Sequence, residues 1–157
     1  NHLIQKVLDI LNPSLNSSNI EVIKNIDDFE FVTIENDLIQ ILMNIITNAK
    51  DALKDLKDEE ARYIFINISK NQKNIVIEIF DNAMGIKDEI ISRVFEPYFT
   101  TKHKSQGTGI GLYMSKILVD NNLKGNIAVE NHTFIYNNKE FKGAKFIILL
   151  PIKLEKK

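Results

Sequence analysis

Two asparagines four residues apart, Asn44 and Asn48, are followed three residues later by Asp51 in the segment NIITNAKDA. On a helix these spacings put all three on one face, opposite the apolar stripe of their neighbours. Asparagine is a weak helix former, so a pair aligned this way points to carboxamides facing a ligand such as a metal-phosphate group; read alone, a solvated polar face accounts for them too. In a second segment, DNAMGI, Asp81 closes an apolar run and Gly85 follows four residues on. A carboxylate at the end of a sheet only accepts hydrogen bonds, which suits an exocyclic amine, and glycine lets main chain approach a flat ring. An ordinary turn after a strand is the plainer reading of that segment. The third, QGTGIGLYMSK, spaces Gly107, Gly109 and Gly111 by two ahead of a helical pattern. Main-chain amides and the positive end of a helix would converge there on an anion, phosphate above all. The segment lacks the preceding strand of a dinucleotide fingerprint and the Lys-Ser or Lys-Thr ending of a Walker loop.

Hydrophobic periodicity supplies the elements that must hold these groups. Leu38, Ile41, Leu42, Ile45, Ala49, Ala52, Leu53 and Leu56 recur at three and four, predicting a long helix over 36–56 with Asn36 as its cap. Leu3, Ile4, Val7, Leu8 and Leu11 predict a short leading helix that Asn12-Pro13 ends. Two strand-like runs, 20–26 and 29–34, flank Asp27-Asp28 and read as a hairpin, while 63–69 and 74–80 pair as central strands with Asp81 at the end of the second. A short helix near 88–94, a polar stretch over 100–108 and a second long helix over 109–123, stopped by Gly125, come next. The last strands fall at 127–130, 133–136 and 144–150, closed by Pro151. Strands and helices in this order, without strict βαβ alternation, predict an α+β two-layer sandwich whose mixed, mostly antiparallel sheet is covered on one face by helices.

Composition narrows the function. The 20 Lys and Arg nearly balance 21 Asp and Glu, so no broad basic field favours nucleic acid or an anionic membrane. Cysteine is absent, which removes disulfides, thiolate metal sites and cysteine nucleophiles and fits a reducing compartment such as the cytoplasm. No apolar run approaches the roughly 20 residues of a membrane span. The first ten residues lack a signal peptide's basic start and apolar core and read as the start of a fragment.

Together with a fourth segment, RVFEPYFTTK (93–102), the three motifs resemble the GHKL ATP-binding superfamily, and specifically the catalytic domains of sensor histidine kinases. NIITNAKDA resembles that family's N box, DNAMG its first glycine box, FEPYFTTK its F box, QGTGIGL its second glycine box and GAKFIILLP its closing strand, in the family's order. The resemblance runs from about Asn19 to Pro151 and implies the Bergerat fold, with residues 1–18 as a helix and linker arriving from a dimerisation domain and 19–157 as the ATP-binding domain. It implies ATP and Mg²⁺ as ligands, with Asn48 on the metal, Asn44 beside it, Asp81 on the adenine amine and Lys102 swinging with a lid over about 99–108. The nucleotide-contacting set it implies is Asn44, Asn48, Asp51, Asp81, Gly85, Ile86, Phe99, Thr101, Lys102, Gly107, Thr108, Gly109, Ile110, Gly111 and Leu112. Phe95 and Phe99 read as packing for the base of the lid.

Related ATPases and serine kinases of the superfamily carry a glutamate one helical turn before the metal-binding asparagine; here that residue is Asn44. An amide cannot take a proton at neutral pH, which disfavours hydrolysis and favours transfer to a histidine brought by a partner domain. None of His2, His103 and His132 sits in the acid-and-proline context of a phosphoacceptor helix, so the acceptor belongs to a separate dimerisation domain, with a response regulator downstream of it. Two departures from the family pattern are Ala83 at the first glycine of DNAMG and Lys145 where a small hydroxyl residue is usual. Ala83 keeps open an alternative, a nucleotide-binding sensor or scaffold that transfers nothing.

Overall fold

In the computed structural model, which describes residues 2–57, 59–99 and 110–152, the chain runs α1 (His2–Ser17), β1 (Ile20–Ile26), α2 (Glu35–Leu53), β2 (Arg62–Lys70), β3 (Asn74–Asp81), a one-turn α3 (Asp88–Ile91), α4 (Gly111–Ile117), β4 (Asn126–Tyr136) and β5 (Lys139–Pro151). A π-helical turn, Leu118–Asn122, extends α4. The strands form a sheet in the order β1-β2-β3-β5-β4, parallel between β1 and β2 and antiparallel elsewhere. Ile64, Ile66 and Ile68 of β2, Ile75, Ile77 and Ile79 of β3 and Phe146, Ile148 and Leu150 of β5 alternate toward one face. They share a core with Leu38, Ile41, Leu42 and Ile45 of α2 and Val7 and Leu8 of α1. Each of these side chains, once buried, contributes about 2 kcal/mol. The expected α+β two-layer class, with helices on one face of a mixed sheet, is the observed one.

Four local expectations fail for identifiable reasons. Residues 20–34 do not form a hairpin: β1 pairs in parallel with β2 from Ile20↔Arg62 to Ile26↔Ile68, and α2 makes the crossover. Asp27-Asp28 lacks the glycine or asparagine that a two-residue hairpin turn needs. Phe29 and Phe31 instead pack against the core from outside the sheet, their rings 5.9 Å apart. Pro13 does not end α1; the helix continues to Ser17 because Leu15, 1% exposed, is pulled into the core beyond it. Asn36 is not the cap of α2, whose N-cap is Ile34 with no side-chain bond, so Asn36 falls within the first turn. The two short strands at 127–130 and 133–136 are one strand, β4.

The β4–β5 hairpin outruns its neighbours. β3 pairs with β5 only from Phe80↔Lys145 to Asn74↔Pro151, so 139–144 and their β4 partners extend past the end of β3. Asn137 and Asn138, both with positive φ (52° and 63°), make the tight turn at the tip. In a flat sheet β4 would lie two strands, roughly 9.5 Å, from β3 and farther from β2. Yet Phe134 of β4 is 5.0 Å from Phe80 of β3 and 5.1 Å from Phe65 of β2, and Tyr136 is 5.0 Å from Tyr63 of β2. The hairpin therefore curls over the face of the sheet that the helices leave open and builds a second, aromatic core with Phe141 and His132. Gly143 permits the bend, since a Cβ there would collide with the Asp81 carbonyl.

Candidate functional site

The polar face of α2 carries Asn44, Asn48 and Asp51, all half-buried, as the three-and-four spacing predicts. Asn44 joins α2 to α4. Its Nδ2 donates to the Gly111 carbonyl (3.1 Å) and to Ser115 Oγ (3.1 Å), and its Oδ1 accepts from Gln40 Nε2 (2.9 Å). Ser115 is fully buried and also donates to the Gly111 carbonyl at 2.9 Å. No side chain caps the start of α4 after Ile110, so the first-turn amides of Gly111 and Leu112 are left for other partners.

Asp81 ends β3 with only 3% of its surface exposed. Its Oδ1 accepts from the amides of Ala83 (2.9 Å) and Ala144 (3.4 Å). Burial dominates nevertheless and pushes the carboxyl pKa up to about 6, the two amides opposing that rise. A group perturbed in this way, at a sheet end beside a loop, is a candidate for binding.

The loop after Asp81 is tied down residue by residue. Asn82 accepts from the Tyr63 amide and donates to the Ala61 carbonyl (both 2.8 Å), and the Met84 amide donates to the Lys142 carbonyl (2.9 Å). Asn131 takes both polar groups of Ile86: Oδ1 accepts from its amide and Nδ2 donates to its carbonyl, each at 2.7 Å. The left-handed positions are Met84 (φ 74°) and Gly85 (φ 87°); Ala83 lies outside that region. Alanine at the first glycine of this segment thus carries no backbone strain.

Residues 33–154 match the family described as "Histidine kinase-, DNA gyrase B-, and HSP90-like ATPase". The chain belongs to that family. Its ATP-binding domain is of the sensor histidine kinase type. It is 31% identical over 154 residues to Sporulation kinase E of Bacillus subtilis, covering 96% of this chain and 19% of that protein, so the chain spans about a fifth of that relative's length. The solved catalytic domain of histidine kinase ThkA superposes with a TM-score of 0.79 at 24% identity, covering 98% of this chain and 95% of that one. ThkA in complex with the response regulator protein TrrA gives 0.73 at 22% identity, over 97% of this chain and 40% of that one.

Within this histidine-kinase-type domain, Phe95 packs edge-on to Phe146 with centroids 6.2 Å apart, a core role, and Arg93 lies 4.6 Å over the Phe99 ring. Thr101, Lys102, Gly107, Thr108 and Gly109, and with them most of the expected lid, lie outside the described residues. Lys145 forms an ion pair with Glu78 at 2.7 Å and sits over Phe80, so its long side chain serves the aromatic face. Asn131, Ser115 and Gly143 were not singled out from the sequence. Gly143 carried a readable signal, a glycine interrupting a strand pattern. Asn131 and Ser115 carried none, because their partners are 45 and 71 residues away. Among the described residues no helix is long and apolar enough to cross a membrane.

Proposed function

We propose that the chain binds Mg-ATP and donates its γ-phosphoryl group to a histidine on a separate dimerisation domain. The observation that supports this reading is the engagement of the Asn44 carboxamide by Gly111, Ser115 and Gln40, one helical turn before Asn48, where by the family resemblance the ATPases carry a glutamate base. Nothing in that contact takes a proton from water. The acceptor imidazole brings its own lone pair. Its nitrogen forms the new N–P bond as the bond to the β–γ bridging oxygen breaks, ADP leaves with that electron pair, and the imidazole proton passes to a base beside the acceptor or to water.

Asp81 would accept the adenine amine at Oδ2, the oxygen that carries neither main-chain bond above, with Gly85 and Ile86 along the ring. The amides of Gly111 and Leu112, with Gly107, Gly109, Thr101, Thr108 and Lys102 of the lid, would meet the phosphates. Among the described residues no cluster of three or more His, Asp or Glu side chains forms a cage for a cation. Mg²⁺ would be held by the Asn48 carboxamide oxygen together with the nucleotide's own phosphates, with the Asp51 carboxylate one turn away. Bound there, it would neutralise charge on the transferring group. Asn44 is then a positioning residue that keeps α4 against α2.

Residues 1–18 would lead in from the dimerisation domain, and the phosphoryl group would pass on to a response regulator, as the pairing of ThkA with TrrA suggests. The cytoplasm is the compartment this chemistry implies. The test mixes the chain with the acceptor domain of its parent, γ-labelled ATP and Mg²⁺. Acid-labile, alkali-stable label on the acceptor is the expected product, and ATP binding without transfer would refute the reading.

A further inference from the structure

Gly85 is bracketed by the β4–β5 hairpin. On one side the Met84 amide donates to the Lys142 carbonyl, and on the other Asn131 closes both polar groups of Ile86. The Asn131 side chain lies directly over the glycine: a Cβ at position 85 would stand 2.6 Å from its Oδ1. Residue 86 thus makes with a side chain the paired bonds that a strand would make with a neighbouring strand. Only a carboxamide of this length fits. Aspartate would oppose a carboxylate to the Ile86 carbonyl, serine would supply a single short group, and glutamine is one methylene too long.

We propose that Asn131 is a positioning residue for the base side of the nucleotide site, holding Gly85 and Ile86 in the one conformation that lets main chain lie against the adenine. The inference rests on the reading of Asp81 and Gly85 as the adenine side. Residues 82–86 have no helix or strand of their own. Asn82 is held from the β2 side, but Met84 and Ile86 are held by the hairpin, so the aromatic core that bends the hairpin also bears on the shape of the pocket. The bonds of Asn131 go to Ile86 and not to the asparagine face of α2, so under this proposal it acts on affinity, not on transfer.

ADP binding by titration calorimetry tests this on the intact chain. Asn131→Ala should weaken ADP about tenfold, the loss expected for a pair of part-buried hydrogen bonds. Transfer at saturating ATP should be unchanged, so that KM rises and kcat does not. Ile86 amide exchange should accelerate in Asn131→Ala even without nucleotide, and Asn131→Asp, which keeps the acceptor for that amide, should protect it partly. Gly85→Ala should cost less affinity in the Asn131→Ala background than in the wild type, because the collision is gone. A lowered melting temperature with unchanged ADP affinity, or equal Gly85→Ala losses in both backgrounds, would overturn the proposal. Wild-type chain that bound no adenine nucleotide would instead remove the reading beneath it, whatever the Ile86 amide did.

Discussion

Gly143 of β5 and Asp81 of β3 approach so closely that any side chain at position 143 would enter the Asp81 carbonyl, with the carboxylate Oδ1 only 2.8 Å from the same point. The buried acid and the bend of the hairpin are one structural fact. Gly143→Ala is expected to destabilise the domain by about 3 kcal/mol, the upper range of overpacking, because the obstructing atoms are main chain and cannot rotate away. Urea denaturation reads the loss, and ADP binding should fall with it.

The raised carboxyl of Asp81 gives two opposite pH dependences. Its pKa rises from 3.8 to about 6 on folding, so its contribution to stability is most favourable below pH 3.8 and is lost as pH climbs toward about 6. A base amine needs the ionised form, so adenosine affinity should be full above about pH 6 and fall tenfold per unit below it. Adenosine is the ligand of choice because it lacks the phosphate group that itself titrates at about pH 6. Asp81→Asn should weaken adenosine binding and flatten the profile; a profile that kept its midpoint in that variant would assign the titration to another group.

Asn44→Ala removes two donors and strands the buried Ser115 hydroxyl with one partner fewer. A cost of about 1–2 kcal/mol is expected. Thermal unfolding checks it, and ATP affinity should drop because the first turn of α4 is no longer pinned to α2.

Asn48→Ala tests the proposed metal ligand separately from the base. Wild-type chain should bind ATP more tightly with Mg²⁺ than with EDTA, and the variant should lose most of that difference while adenosine affinity stays within about twofold. Equal Mg²⁺ dependence in both proteins would move the ligand elsewhere.

Lys145→Ala breaks a half-buried ion pair and uncovers Phe80. The pair's side chains are 15% and 27% exposed, which places it above a solvent-exposed pair in value, at about 1 kcal/mol. A double-mutant cycle with Glu78→Ala isolates that share from the packing of the lysine stem.

What could be read from the sequence was whatever repeats within a few residues. The stripe from Leu38 to Leu53 disclosed α2, and with it the shared face of Asn44, Asn48 and Asp51; the β-branched runs disclosed β2, β3 and the place of Asp81. The pairing of β1 was hidden because a strand's alternation is the same whether its partner lies next in the chain or beyond a helix, as Ile26 and Ile68 do. Pro13 carries a local penalty that the sequence shows, whereas the burial of Leu15 that outweighs it exists only in the fold. Phe134, Tyr136 and Phe141 alternate like any exposed hairpin, and only the curl brings them to Phe65 and Phe80. Asn131 reads as one more polar residue until the chain folds Ile86 onto it.

The two-asparagine tip of the hairpin is where an engineer would ordinarily graft a fluorophore or an affinity tag, expecting silence. Here the strands leading from Asn137 and Asn138 run down to Asn131 on one side and Lys142 on the other, and both grip the loop beside Asp81. A graft at that tip would load the same two strands that hold the loop beside Asp81.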